Sequence, residues 1–243
     1  MNLIKSLNIH NKDVITITGG GGKTSLMFAI GRELSQVGIK HVLTTTAKIC
    51  VSDVPANQCI INEDITAVFH QIQQEPNKEW IIGKELLAGK KISGFSNDEL
   101  LFLQESLSPV VILNEGDGSK RKPYKFYNEY EPIIPDLTTK IIHVIGAEVL
   151  FQKIDDEYFH RSELFEDKDE EEVVFDEHVL KKVLEAFIKN KLEPEYGKLP
   201  KILFINKADQ DNLEKARIMG KIGKLLFDQC FIGSLREGWI EAC

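Results

Sequence analysis

Residues Gly19-Gly20-Gly21-Gly22-Lys23-Thr24-Ser25 have the types and spacing to hold a phosphate. Glycines let the backbone approach an anion closely, and several N–H groups then point at it. Lys23 would reach the β- and γ-phosphates, and the Thr24 hydroxyl would sit on Mg²⁺. Glu115 and Asp117 stand in Asn114-Glu115-Gly116-Asp117-Gly118. Two such carboxylates would hold the same Mg²⁺ or its waters, and one would orient an attacking water. Asn206-Lys207-Ala208-Asp209 has the N-K-x-D form that reads guanine. Asp209 would accept from two guanine N–H donors while the Lys207 stem lies along the base. The planar donor fork of Arg161 suits a phosphate or substrate contact. The alternative is that His160 and Arg161 neutralise the nearby Asp156 and Glu163.

The elements needed to position these groups are legible. An alternating run, Val14–Thr18, leads into the glycines, and Leu26, Met27, Ile30 and Leu34 follow at helical spacing, up to Gly38. The order is strand, glycine loop, helix, with the helix from Thr24 to Val37 starting its positive dipole end at the loop. The loop departs from G-x-x-x-x-G-K-[ST], because Ile17 stands where the first glycine belongs. What remains is G-x-x-G-K-T, a short form found in some nucleotide-binding families, the Mur ligases among them. Lys23 is read as an exposed loop lysine, so Lys23→Ala is expected to leave the fold intact.

The apolar run Pro109–Leu113 reads as a buried parallel strand delivering Glu115 and Asp117. Lys201–Ile205 delivers Asn206. A helix over Asn212–Asp228, a strand over Cys230–Ile232 and Gly233-Ser234 follow, the order found in a GTPase. Two other readings of the motif stay open: inherited geometry without guanine specificity, or an N-cap by Asp209. GTP and ATP are both retained as ligands.

A strand over Lys40–Thr45 ends in Thr44-Thr45-Thr46 with Lys48 beyond. These are groups for a ligand at the sheet edge, or simply β-favouring threonines. Cys59–Ile61 reads as a strand and Asp64–Gln74 as a helix. Trp80–Gly83 and Lys90–Ser93 read as two strands around a glycine-containing turn, giving a small inserted β subdomain over residues 76–96. Asn97–Ser106 is a helix and Lys140–Ile145 a buried strand. Between them, 120–135 is irregular, aromatic and charged, the character of a functional loop. Asp155–Glu172 is acidic, Asp176–Asn190 is a helix, and Lys191–Leu199 is a linker. Alternating strands and helices make a single α/β domain over 1–243, with a mainly parallel, doubly wound, P-loop NTPase-like sheet.

The formal net charge of −8 gives no electrostatic footprint for nucleic acid. Cysteines at 50, 59, 230 and 243 form no C-x-x-C pair and no zinc spacing, and read as free thiols in a reducing cytoplasm. The N-terminus shows no secretory h-region, and no run reaches the ~18 apolar residues of a membrane span. The expectation is a cytoplasmic protein with a nucleotide partner, no nucleic acid and no membrane.

The chain resembles the accessory proteins of selenium-dependent molybdenum hydroxylases called YqeC. The resemblance rests on Ile17–Thr24, Thr44–Ile49, His160-Arg161, and Glu115–Lys120 with Pro123, Lys125, Glu131, Pro132 and Pro135. Gly116 stands where the family usually has alanine, which leaves both acids in place. The resemblance implies nucleotide binding in the maturation of such a hydroxylase, with the hydroxylase or its maturation proteins as partners. Three functions follow as expectations. The first is an NTP-hydrolysing accessory protein, the second an NTP-dependent transferase or ligase activating a small molecule, and the third a non-hydrolysing nucleotide-binding scaffold.

Overall fold

β-branched residues favour pleated backbone, and Val14-Ile15-Thr16-Ile17-Thr18 places them in series. They form a strand that is buried along its whole length. The structure, a computed structural model, describes residues 1–50, 56–76, 78–88, 91–165 and 173–243. Lys90, expected in a strand, and residues 166–172 of the acidic run lie outside them. In the first half of the chain the elements are α1 (Leu3–Ser6), β1 (Val14–Gly19), α2 (Lys23–Gln36), β2 (His41–Thr45), β3 (Lys48–Cys50), β4 (Cys59–Ile61), α3 (Ile65–Gln74), β5 (Trp80–Gly83), β6 (Leu86–Leu87), β7 (Lys91–Ser93), α4 (Asn97–Leu107) and β8 (Val111–Glu115). Then come β9 (Tyr124–Lys125), β10 (Lys140–Gly146), β11 (Phe159–His160), α5 (Glu177–Phe187), α6 (Glu193–Tyr196), β12 (Lys201–Asn206), α7 (Leu213–Leu226), β13 (Gln229–Ser234) and β14 (Trp239–Ala242).

The main sheet has nine strands in the order β14-β13-β12-β10-β1-β8-β2-β5-β4. Every pair is parallel except β13 with β14. β1 lies between β8 and β10, with Ile17 opposite Glu115 and Gly19 opposite Val144. Along a strand, neighbouring side chains alternate between faces. Ile15, Ile17, Val144 and Phe204 meet α1 and α2 through Leu3, Leu26, Met27 and Ile30. On the other face Val42, Ile60 and Ile82 pack with Val68 of α3 and Leu100 of α4. Leu203 and Ile205 pack there with Leu184 of α5 and Met219 of α7. This is the expected α/β sheet with helices on both faces.

Side-chain caps fix the starts of two helices. The Asp64 side chain accepts from Thr66 N–H before α3, and Ser96 with Glu99 forms a capping box before α4. Three stretches differ from expectation. Trp80–Gly83 belongs to the main sheet, while Lys91–Ser93 pairs with Leu86–Leu87 and Lys48–Cys50 in a separate three-stranded sheet. Residues 76–96 are therefore divided between two sheets. Lys191–Leu199 is not a plain linker, because a π-helical turn over Ile188–Leu192 carries α5 into α6. Pro194 is tolerated there since it stands at the start of α6, where its missing N–H has no intrahelical partner. β14 is an added edge strand, half exposed, with too mixed a pattern to read as a strand.

Two glycines separate backbone strain from packing. Gly21 has φ +69°, and a Cβ there would come within 2.1 Å of the Gly146 amide nitrogen. Gly38 has φ +71° with nothing within 4 Å. In urea unfolding, Gly38→Ala is expected to cost about 1 kcal/mol from φ alone. Gly21→Ala is expected to cost about 3 kcal/mol, because the two backbones must also part.

Candidate functional site

The carboxyl ends of β1, β8 and β12 open on one edge, since these strands run parallel. There the glycine loop is tied down by its own amides. Gly19 N–H donates to Asp117 Oδ2, Gly20 N–H to Val144 O and Gly21 N–H to Lys122 O, each at 2.9 Å. An incoming anion is left the first turn of α2, whose leading N–H groups have no intrahelical acceptor.

Lys23 is only 3% exposed, which corrects the expectation of an exposed lysine. Its Nζ donates to Gly19 O at 2.7 Å and lies 3.1 Å from Asp117 Oδ1 and 3.6 Å from Glu115 Oε1. The reason is register. With Ile17 opposite Glu115, the acids at the end of β8 lie beside the loop, and the ammonium meets carboxylate rather than water. Burial pulls the Lys23 pKa down, but Asp117 and Glu115 outweigh it and hold it above the ordinary value. Burial pushes the Glu115 carboxyl up, against the pull of Lys23 and of the Thr24 hydroxyl. Thr24 Oγ1 donates to Glu115 Oε2 at 2.7 Å. Ser25 is exposed on the same turn.

Thr24, Glu115 and Asp117 are hard oxygen donors of the kind Mg²⁺ takes. Asp117 Oδ1 is buried and faces the Lys23 and Lys125 ammonium groups at 3.1 and 3.8 Å, so it could take a metal cation only once Lys23 moves away. Among the described residues no group of three or more His, Cys, Asp or Glu could hold a metal. An ion here would therefore share its shell with phosphate oxygens or water.

A second layer lies behind the acids. Tyr127 Oη donates to Asp117 Oδ2 at 3.1 Å. The Lys125 side chain is fully buried. Its Nζ donates to Gly118 O at 2.7 Å and to Glu131 Oε2 at 2.6 Å, and lies 3.8 Å from Asp117 Oδ1. Arg161 donates to the same Glu131 oxygen. Arg161 thus pairs with Glu131 rather than with Asp156 or Glu163, and reaches Lys23 only through Glu131, Lys125 and Asp117. Lys125, Tyr127 and Glu131 carry no assigned role from sequence, although the aromatic, charged character of 120–135 marks the loop that holds them. The threonine run serves the scaffold, with Thr45 Oγ1 donating to Glu115 O at 2.8 Å and Thr46 Oγ1 to Ile133 O at 2.7 Å.

The N-K-x-D residues divide. Asn206 joins the loop, since its Nδ2 donates to Gly21 O at 2.7 Å while its Oδ1 accepts from Leu235 N–H at 3.2 Å. Lys207 donates to Glu148, a residue with no sequence signal of its own. Asp209 accepts from Ser234 Oγ at 2.5 Å and pairs with Arg236 at 2.8 Å. Its side chain caps no helix, which removes the N-cap reading.

Fold and site together define an α/β protein whose parallel sheet ends in a glycine loop faced by a buried carboxylate pair. A model of the family described as YqeC protein matches residues 15–163, and the chain belongs to that family. An Escherichia coli (strain K12) protein described as "Uncharacterized protein YqeC" is 32% identical over 156 residues, 63% of this chain and 59% of its own length. The chain thus aligns with less than two thirds of that relative. The family match takes in the glycine loop, Glu115, Asp117 and Arg161, and ends before Asn206. Among the described residues no helix is long and apolar enough to cross a membrane.

Two outcomes follow from burial. Lys23→Ala would leave the buried Asp117 with the more distant Lys125 as its cation, beside the Gly19 amide and the Tyr127 hydroxyl. It is expected to lower stability by about 3 kcal/mol in urea unfolding without nucleotide. The second concerns His143, whose Nδ1 lies 3.0 Å from Thr18 Oγ1 and whose buried Nε2 has no partner. Burial, then Lys23 and Lys125, pull its pKa from 6.5 down to about 3. Between those values the unfolded chain binds more protons, so this stability is complete above pH 6.5 and is lost as pH falls toward about 3. Urea midpoints measured across that window are expected to fall more steeply in wild type than in His143→Gln.

Proposed function

We propose that the chain is a P-loop NTPase-like protein that binds Mg-NTP at Gly19–Thr24 and hydrolyses it. It would act as a cytoplasmic accessory protein in the maturation of a selenium-dependent molybdenum hydroxylase. The observation that carries the nucleotide reading is one buried cluster at a helix start, in which Lys23 meets Asp117 and Glu115 while Thr24 bonds Glu115. The maturation role rests on family membership.

When phosphates arrive, Lys23 exchanges carboxylate oxygens for phosphate oxygens, and the α2 amides take the rest of the anion. Thr24, Glu115 and Asp117 would hold Mg²⁺, which supplies neutralisation of the phosphate charge. Glu115, raised by burial, is the carboxylate suited to orient water and take its proton. Asn206 fixes the loop through Gly21. Asp209 would read guanine by turning a carboxylate oxygen from Ser234 or Arg236 to the base. GTP over ATP is therefore part of the proposal.

A second reading, NTP-dependent activation of a small molecule, is favoured by a cavity of about 190 Å³ beside Tyr127. Tyr124, Phe126, Phe187 and Lys191 are among its walls.

Calorimetric titration with Mg-GTP and Mg-ATP, and phosphate release, test these readings. Lys23→Ala is expected to lose binding. Glu115→Gln is expected to lower turnover more than affinity, by about a hundredfold. Asp209→Asn is expected to shift preference toward xanthine nucleotides by roughly 10- to 100-fold, the scale of one buried polar mismatch. Turnover that requires selenide or a molybdenum cofactor would favour the second reading. Binding without turnover would leave a scaffold. Absence of any Mg-NTP binding would overturn the proposal.

A further inference from the structure

A second cavity, about 210 Å³, lies between the turn at Lys120–Lys122 and the segment Asp156–Glu163. Lys120, Lys122, His160 and Arg161 line it, with Asp156, Glu163 and the Phe159 ring. Its acids are largely engaged or peripheral. Asp156 accepts from Ser162 Oγ at 2.6 Å, and Glu163 is exposed at the rim.

The backbone is held in a rare conformation on both walls. Lys120, Arg121 and Arg161 have φ of 49°, 63° and 61°. Each such residue costs of order 1 kcal/mol, and residues like these cluster where a site needs them. Among the described residues three cationic side chains and two carboxylates line the cavity. Besides burial, Lys125, Arg161 and Lys120 pull the His160 pKa down to about 4, against Glu131. A neutral imidazole offers one N–H donor beside the charges of Lys120, Lys122 and Arg161.

We propose that this cavity is a second oxyanion site, for a phosphate-bearing ligand bound by Lys120, Lys122, His160 and Arg161, and that it opposes nucleotide binding at the glycine loop. The opposing effect rests on the nucleotide reading above, whereas the site itself does not. The link is the alternating row Arg161, Glu131, Lys125, Asp117, Lys23. A nucleotide that draws Lys23 from Asp117 leaves Asp117 to Lys125. Lys125 then shares less with Glu131, and Glu131 holds Arg161 harder, away from the cavity. By linkage an anion on Arg161 weakens the nucleotide equally.

Inorganic pyrophosphate is the probe, titrated into the full chain by calorimetry. In wild type it binds. Lys120→Gln and Arg161→Gln are each expected to weaken binding at this site by about tenfold, the scale of one charged hydrogen bond. Lys120 is exposed, so its loss reports on binding rather than on folding. Lys23→Ala is expected to retain the site with pyrophosphate binding about fivefold weaker, because it leaves Asp117 to Lys125 as the nucleotide does. Saturation with a non-hydrolysable Mg-NTP analogue is expected to weaken the remaining pyrophosphate binding about fivefold. Glu131→Gln is expected to tighten pyrophosphate binding and abolish that antagonism. No pyrophosphate binding, or binding indifferent to both Lys120 and Arg161, would overturn the site. Antagonism unchanged in Glu131→Gln would overturn the link. If no Mg-NTP binds at all, the nucleotide reading and the link fail together, and the Lys120 and Arg161 dependence still decides the site.

Discussion

The buried ammonium of Lys23 between two carboxylates is the constraint on which the rest of the site depends. A lone charge at that depth is strongly disfavoured, so each member needs the others. Asp117 meets the requirement from several directions at once, through Lys23, Lys125, the Gly19 amide and the Tyr127 hydroxyl. The same carboxylate that neutralises the lysine therefore holds the start of the glycine loop in place. Glue and chemistry are carried by the same atoms.

That arrangement needs residues nearly a hundred positions apart in the chain to meet within hydrogen-bond distance. Parallel pairing does it. β1 lies between β8 and β10, and all three finish at the same edge. The glycine loop, the acids after β8 and the Asn206 amide then converge without any long excursion. The buried threonines support this edge, Thr45 by donating to Glu115 O and Thr16 by pairing with Thr138.

Much of this was legible in the sequence because its signals are local. Alternation gave β1, helical spacing gave α2, and the helices expected over Asp64–Gln74, Asn97–Ser106 and Asp176–Asn190 formed within a few residues of those bounds. That the glycine loop and the acids Glu115 and Asp117 open on one sheet edge followed from strand-end position. What stayed hidden was set by tertiary partners. Burial of Lys23 depends on register across β1 and β8. Lys125, Tyr127 and Glu131 lie in a loop without periodicity, so nothing local says that their side chains turn inward. Trp80–Gly83 and Lys91–Ser93 both read as short strands, and only their neighbours decide which sheet each joins. Glu148 follows a buried strand with no motif around it.

The tie from Asn206 to Gly21 also bears on where the chain can be cut. The family match ends at residue 163, yet β12, beyond that point, covers the outer edge of β10 and supplies Phe204 to the core beneath β1. A fragment ending at residue 163 would bare the hydrogen-bonding edge of β10 and leave Gly21 O without the Asn206 amide. The recognisable stretch of sequence is thus smaller than the unit that folds. The Gly21 carbonyl gains its Asn206 partner only once the last third of the chain has docked.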